Sequence, residues 1–116
     1  MFGLDHWVAG FSDGASYALT VGIINGDLFT HVIAFSPGFI ATKYGHGKPP
    51  IFISHGTADE LLDIDRTSRI FVPGLRRNGY RVIFRQFDGP HTIPPEVARE
   101  SAQWWLTDAV PAGASG

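Results

Sequence analysis

The sequence predicts an α/β domain, a parallel sheet of about four strands with flanking helices. Three observations predict it. The unbroken apolar runs His31-Val32-Ile33-Ala34-Phe35 and Ile51-Phe52-Ile53-Ser54 suit strands buried on both faces, as in parallel sheets. Segments of helical periodicity separate such runs, and that alternation implies right-handed crossovers with helices on the sheet faces. A length of 116 residues suits one domain, and 44% apolar with 17% charged residues is too apolar for disorder.

The elements follow in order. Trp7-Val8-Ala9-Gly10 is a brief apolar run that leads into Gly10-Phe11-Ser12-Asp13-Gly14. A helix is expected over Ala15–Ile24, with Ala15, Ala18, Leu19 and Ile23 at helical spacing and Asn25-Gly26 as its stop. The strands His31–Phe35 and Ile51–Ser54 close at Ser36-Pro37-Gly38 and His55-Gly56, and the Gly- and Pro-rich stretch Gly38–Pro50 is the one long connection. The pattern turns helical again over Asp65–Asn78, with Ile70, Phe71 and Leu75 on one side. Pro73 lies inside it and predicts a kink or break, because an interior proline removes a backbone bond. Arg81–Phe87 reads as a strand whose arginines mark a sheet edge. Pro94-Pro95-Glu96 starts a last helix, expected to reach Leu106 with Val97, Ser101, Trp104 and Trp105 facing inward. No linker or internal repeat divides the chain, so residues 1–110 form one domain and 111–116, small and polar, a flexible tail.

Composition excludes several functions. A net charge of −2 argues against a general electrostatic grip on nucleic acid. The absence of cysteine removes disulfides, thiolate metal sites and a cysteine nucleophile. No apolar run approaches the ~20 residues of a membrane helix, and Met1–Asp5 has neither a basic start nor a long apolar stretch, so a cytoplasmic domain is expected. Six of the nine basic residues lie between Arg66 and Arg85. A solvated helix face beside an edge strand explains them better than a docking patch for an anion.

The sharpest chemical feature is Gly10-Phe11-Ser12-Asp13-Gly14. Glycines two before and two after a serine permit a tight strand-to-helix turn that lifts the hydroxyl above the sheet. The same turn aims the backbone N–H of Asp13 at the reacting centre. The plainer reading of Ser12 is a helix N-cap. A serine nucleophile needs a base, and the base an orienting carboxylate. Among five histidines, His6 precedes the first strand, His31 lies within a strand, His46 sits in a loop, and His55 reads as a structural turn residue. His91 follows Asp88-Gly89-Pro90 just beyond the last strand, on the rim where a parallel sheet presents its loops. Asp59 follows the Ile51–Ser54 strand on the same rim, with Asp63 and Asp65 as rivals that could instead cap the next helix. Asp59, Glu60, Asp63 and Asp65 lack the spacing and glycine of a Ca²⁺ loop and read as a solvated acidic loop. No metal or organic cofactor is implied.

Three ordered segments, Gly-Phe-Ser-Asp-Gly-Ala at 10–15, His-Gly-Thr-Ala-Asp at 55–59 and Phe-Asp-Gly-Pro-His-Thr-Ile-Pro-Pro-Glu at 87–96, resemble the α/β-hydrolases, and among them the carboxylesterase and phospholipase-like branch. The stretch Val72–Tyr80 is similar to that family's helix before its last strand, Pro73 included. The resemblance implies Ser12 as nucleophile, Asp59 as triad acid and His91 as general base, acting on carboxylic esters through an acyl-enzyme. It covers the carboxy-terminal half of that fold, so the chain reads as a truncated or minimal hydrolase domain. The loop that supplies the family's second oxyanion donor has no counterpart here. Phe11, Phe39 and Tyr44 are candidates to line a substrate pocket. The alternative function is a catalytically silent hydrolase-like domain that acts by self-association, or a fragment of a longer enzyme. An apolar strand near Val8 without a neighbour on one side further predicts self-association, with a two-fold dimer as the closed form and contact near Leu4–Ala9 or the helix after Ser12.

Overall fold

Four parallel strands lie across the sheet in the order in which the chain makes them: β1 (Trp7–Phe11), β2 (His31–Phe35), β3 (Ile51–Gly56) and β4 (Val82–Phe87). The computed structural model describes residues 6–42 and 44–109. The expected tail at 111–116 and the Leu4 and Asp5 end of the expected dimer contact lie outside them. Helix α1 (Asp13–Ile24) joins β1 to β2, a 3₁₀ turn (Ile64–Arg66) and helix α2 (Ser68–Arg77) join β3 to β4, and helix α3 (Pro95–Ala109) follows β4.

Strand side chains alternate between the two faces, and helices cover both. On one face Val32, Ala34, Ile51 and Ile53 pack with Ala15, Leu19 and Ile23 of α1 and with Val72 and Leu75 of α2. On the other, Ile33 and Phe52 pack with Val97 of α3, and Trp104 and Trp105 lie half-buried against them. This two-sided burial is why β2 and β3 read as continuous apolar runs. Both outer strands behave as edges. In β4, Arg85 and Gln86 are exposed, and in β1 Trp7 and Phe11 are 45% and 39% exposed, although the indole of Trp7 packs on Trp105 at 5.1 Å between ring centres.

Several boundaries depart from the sequence reading. Helix α1 starts at Asp13 rather than Ala15, because Ser12 alone separates it from β1. Helix α2 starts at Ser68 rather than Asp65, since the Asp63 carboxylate accepts the Asp65 N–H and opens a 3₁₀ turn first. That shift changes the inward face: Ser68, Val72 and Leu75 are buried, one helical side of the new start, while Ile70 is 57% exposed. The break expected at Pro73 does not occur, and the helix runs through it. Proline there removes only the bond to the Arg69 carbonyl, and the buried residues Val72 and Leu75 on either side hold the path. Helix α3 continues past Leu106 to Ala109. Among the described residues, no helix is long and apolar enough to cross a membrane.

Candidate active site

The serine turn is built from one residue. Ser12 adopts φ 60 and ψ −120, a region that L side chains occupy only when the surroundings enforce it. Its N–H donates to the Phe35 carbonyl at the end of β2 (2.9 Å), and its own carbonyl accepts the N–H groups of Ala15 (3.0 Å) and Ser16 (3.1 Å). Gly10 makes the turn possible: a Cβ there would run into the Gly14 carbonyl and lie 2.8 Å from the Ala15 nitrogen. Around a Cβ at Gly14, in contrast, there is open space. Crowding therefore imposes one of the two glycines, not both. The Ser12 side chain makes no capping bond to α1. Instead its hydroxyl lies 2.9 Å from His91 Nε2.

The acid and base loops are tied together. Thr57 N–H donates to the Phe87 carbonyl (2.8 Å) and Ala58 N–H to the Gly89 carbonyl (2.9 Å). A Cβ at Gly56 would collide with the Gly89 and Pro90 carbonyls, so this close approach requires glycine. The result brings Asp59 Oδ2 to 2.5 Å from His91 Nδ1. The other carboxylate oxygen accepts the N–H groups of Leu61 (2.9 Å) and Leu62 (2.8 Å). The Asp59 side chain is fully buried and that of His91 nearly so, at 0% and 11% exposure. Burial alone would raise the Asp59 pKa, but the Leu62 N–H, His91 and the Leu61 N–H together outweigh it and hold the carboxyl below its ordinary value.

Ser12, Asp59 and His91 thus come together from three separate loops on one rim, and Asp13 stands at the first position of α1, where its N–H precedes any helical acceptor. A carboxylate on Nδ1 fixes the proton there and leaves Nε2 free to accept the serine proton. The rival acids go elsewhere. Asp63 caps the 3₁₀ turn, and exposed Asp65 pairs with Arg69 at 2.7 Å. The acidic loop is not uniformly solvated, because Asp59 is buried in it while Glu60, Asp63 and Asp65 are exposed. Among the described residues, no three His, Asp or Glu side chains are placed to hold a metal ion.

Of the candidate pocket residues, Phe11 stacks near His91 with ring centres 4.7 Å apart. An open depression of about 470 Å³ beside His91 is lined by Ala58, Glu60, Leu61 and Pro90. Tyr44, 82% exposed, lines a different depression with Ile40, Ala41 and Thr42, and Phe39 lines neither. Two residues with a part in the site escaped the sequence reading. Ser16 is buried, and its hydroxyl accepts the N–H groups of Gly38 (2.8 Å) and Phe39 (3.0 Å), fastening the start of the long connection to the serine helix. His55, read as a turn residue, is buried in β3 against the acid loop. Its place directly at the end of an apolar run was the available signal. Half of the basic cluster is engaged locally: Arg69 with Asp65 and Gln86, Arg85 with Glu100, and Arg76 with the Val82 carbonyl.

A parallel sheet entered through a strained serine, with acid and base loops beyond its third and fourth strands, defines an α/β-hydrolase-like fold. Three solved structures similar to the chain are those of esterase PE8, of SOBER1 from Arabidopsis thaliana and of the carboxylesterase from Bacillus cereus. Esterase PE8 matches at 27% identity and a TM-score of 0.79, over 90% of this chain and 50% of that one. SOBER1 matches at 20% identity and a TM-score of 0.79, over 90% and 53%. The Bacillus cereus enzyme matches at 15% identity and a TM-score of 0.72, over 88% and 49%. The chain therefore spans about half the length of the structures it matches. No family model and no curated protein matches the sequence.

Proposed function

We propose that the chain carries the catalytic residues of a serine esterase acting on small carboxylic esters. The observation that carries this reading is the line of contacts from Ser12 Oγ to His91 Nε2 (2.9 Å) and from His91 Nδ1 to Asp59 Oδ2 (2.5 Å). As His91 takes its proton, Ser12 Oγ bonds to the ester carbonyl carbon. The oxyanion leans on the Asp13 N–H, and collapse expels the alcohol, which leaves with the proton from His91. Water, deprotonated by the same imidazole, then attacks the acyl-enzyme and releases the acid and Ser12. Asp59 stays ionised throughout and stabilises the imidazolium. Esterases among the similar structures support the substrate class. The open depression beside His91 is the place we assign to the acyl or alcohol group, with Phe11 against the imidazole but outside its lining.

The test is active-site labelling. A fluorophosphonate probe should label the folded chain at Ser12, and Ser12→Ala should abolish labelling. An unlabelled but folded chain would sink the reading in favour of a catalytically silent hydrolase-like domain, or a piece of a longer enzyme, to which the half-length matches also lend support. We further propose a cytoplasmic site of action, which a chain without cysteine tolerates, and self-association through the open edge of β1.

A further inference from the structure

The acid loop leans on a second imidazole. His55 is completely buried near the end of β3. Its Nε2 lies 2.6 Å from the Leu62 carbonyl and its Nδ1 2.7 Å from the hydroxyl of Ser68, the first residue of α2. A carbonyl can only accept, so the ring proton is on Nε2, and Nδ1 accepts from Ser68. The same Nε2 atom lies 3.3 Å from Asp59 Oδ2, the oxygen that holds His91. Burial depresses the His55 pKa and favours the neutral ring this arrangement needs.

We propose that His55 is a positioning residue for the Asp59–His91 pair. Leu62 is clasped from both ends. Its N–H holds Asp59 Oδ1 while its carbonyl is held by His55. With the carbonyl pinned, the turn at residues 59–62 presents both N–H groups to Oδ1, and Oδ2 is left turned toward His91. Without the pin, residues 61–62 rotate, Oδ1 loses its donors and the carboxylate swings. A displacement of about 1 Å at such a pair costs up to about 100-fold in rate. His55 touches no substrate. The rate consequence rests on the esterase reading, whereas the orientation of Asp59 does not.

Two amide replacements separate positioning from space-filling. The Gln side chain carries its NH₂ to about where imidazole Nε2 sits, whereas Asn stops at the Nδ1 position. With p-nitrophenyl acetate, His55→Asn should lower kcat about tenfold or more and leave KM within about twofold, and His55→Gln should restore kcat to within about threefold of the parent. Proton NMR supplies a readout independent of activity: the downfield signal of His91 Nδ1–H should shift or broaden in His55→Asn and return in His55→Gln. A folded His55→Asn chain that keeps both kcat and that signal overturns the proposal. Should His55→Asn not fold, the tautomer of His55 in the parent chain decides, read from its ring ¹⁵N shifts, and a proton found on Nδ1 overturns the proposal. If the parent shows no Ser12-dependent hydrolysis, the esterase reading fails alone, and the His91 signal still judges His55.

Discussion

Asp59→Asn exchanges a carboxylate for an amide of the same shape, and the groups around it make the consequence calculable. Three donors hold the side chain. Leu61 and Leu62 N–H point at Oδ1 and His91 Nδ1–H points at Oδ2 at 2.5 Å, while His55 Nε2, its hydrogen given to the Leu62 carbonyl, lies 3.3 Å from Oδ2. An amide has one accepting oxygen. If that oxygen stays with the two backbone N–H groups, the NH₂ faces His91, which must move its proton to Nε2 to accept it. The imidazole then meets Ser12 with a proton instead of a lone pair. The wrong tautomer costs about 10⁴ in kcat where the same exchange has been made in a serine protease, or about 5.4 kcal/mol of barrier. Losing hydrogen bonds to a buried charge should also cost about 1.5–3 kcal/mol of stability, visible as a lower melting temperature. The assay is p-nitrophenyl acetate hydrolysis, with circular dichroism to show that the variant is folded. Asp63→Asn and Asp65→Asn are the controls and should stay within about threefold, since an exposed cap and an exposed ion pair are weakly held. A folded Asp59→Asn chain retaining more than about a tenth of kcat, or a crippled Asp63→Asn, refutes the assignment.

Three further outcomes are expected. With the Asp13 N–H as the one named oxyanion donor, the chain should be a slow esterase on activated esters and nearly inert to amides. Loss of one donor costs about 2.7–4 kcal/mol, and a kcat/KM above ~10⁶ M⁻¹s⁻¹ would mean that another donor operates. His55, held neutral by burial, makes stability depend on pH. Below about 6.5 the unfolded chain takes up a proton that the folded chain refuses, so its contribution is present above that pH and declines beneath it by at most about 1.4 kcal/mol per unit. Denaturation midpoints between pH 7 and 5 should show the decline, and His55→Gln should flatten it. The chain should self-associate through β1, whose outer edge is unpaired among the described strands and carries half-exposed Trp7 and Phe11. Sedimentation at micromolar concentration reads this directly, and a stable monomer counts against it.

The central strands and the grouping of Ser12, Asp59 and His91 on one rim were legible because their signals are local and mutually consistent. Runs buried on both faces announce β2 and β3, and turns at strand ends announce the rim that carries Ser12, Asp59 and His91. What escaped depends on contacts across the fold. Ile70 fits a helical stripe as well as Val72 does, and only the 3₁₀ turn fixed by Asp63 decides between them. Pro73 looked like a break because propensity counts the lost bond and omits the neighbours that hold the helix. Gly14 looked as necessary as Gly10, yet only Gly10 faces backbone atoms within its own chain. His55 and Ser16 bond to backbone carbonyls and N–H groups of other loops, and beyond the place of His55 at the end of an apolar run the sequence carries no trace of those partners.

The strand order β1-β2-β3-β4 matches the order of synthesis. A chain emerging amino end first can lay each new strand on the one already in place, with no gap to be filled later. Ser12 is made before its partner His91, which lies 79 positions behind it, a delay of roughly 4–16 seconds at usual translation rates. Through that interval the hydroxyl has no base and ordinary alcohol reactivity. Under the esterase reading, a nascent or prematurely ended product is chemically mute in the crowded space near the ribosome, and its competence arrives in one step when the turn after β4 delivers the imidazole.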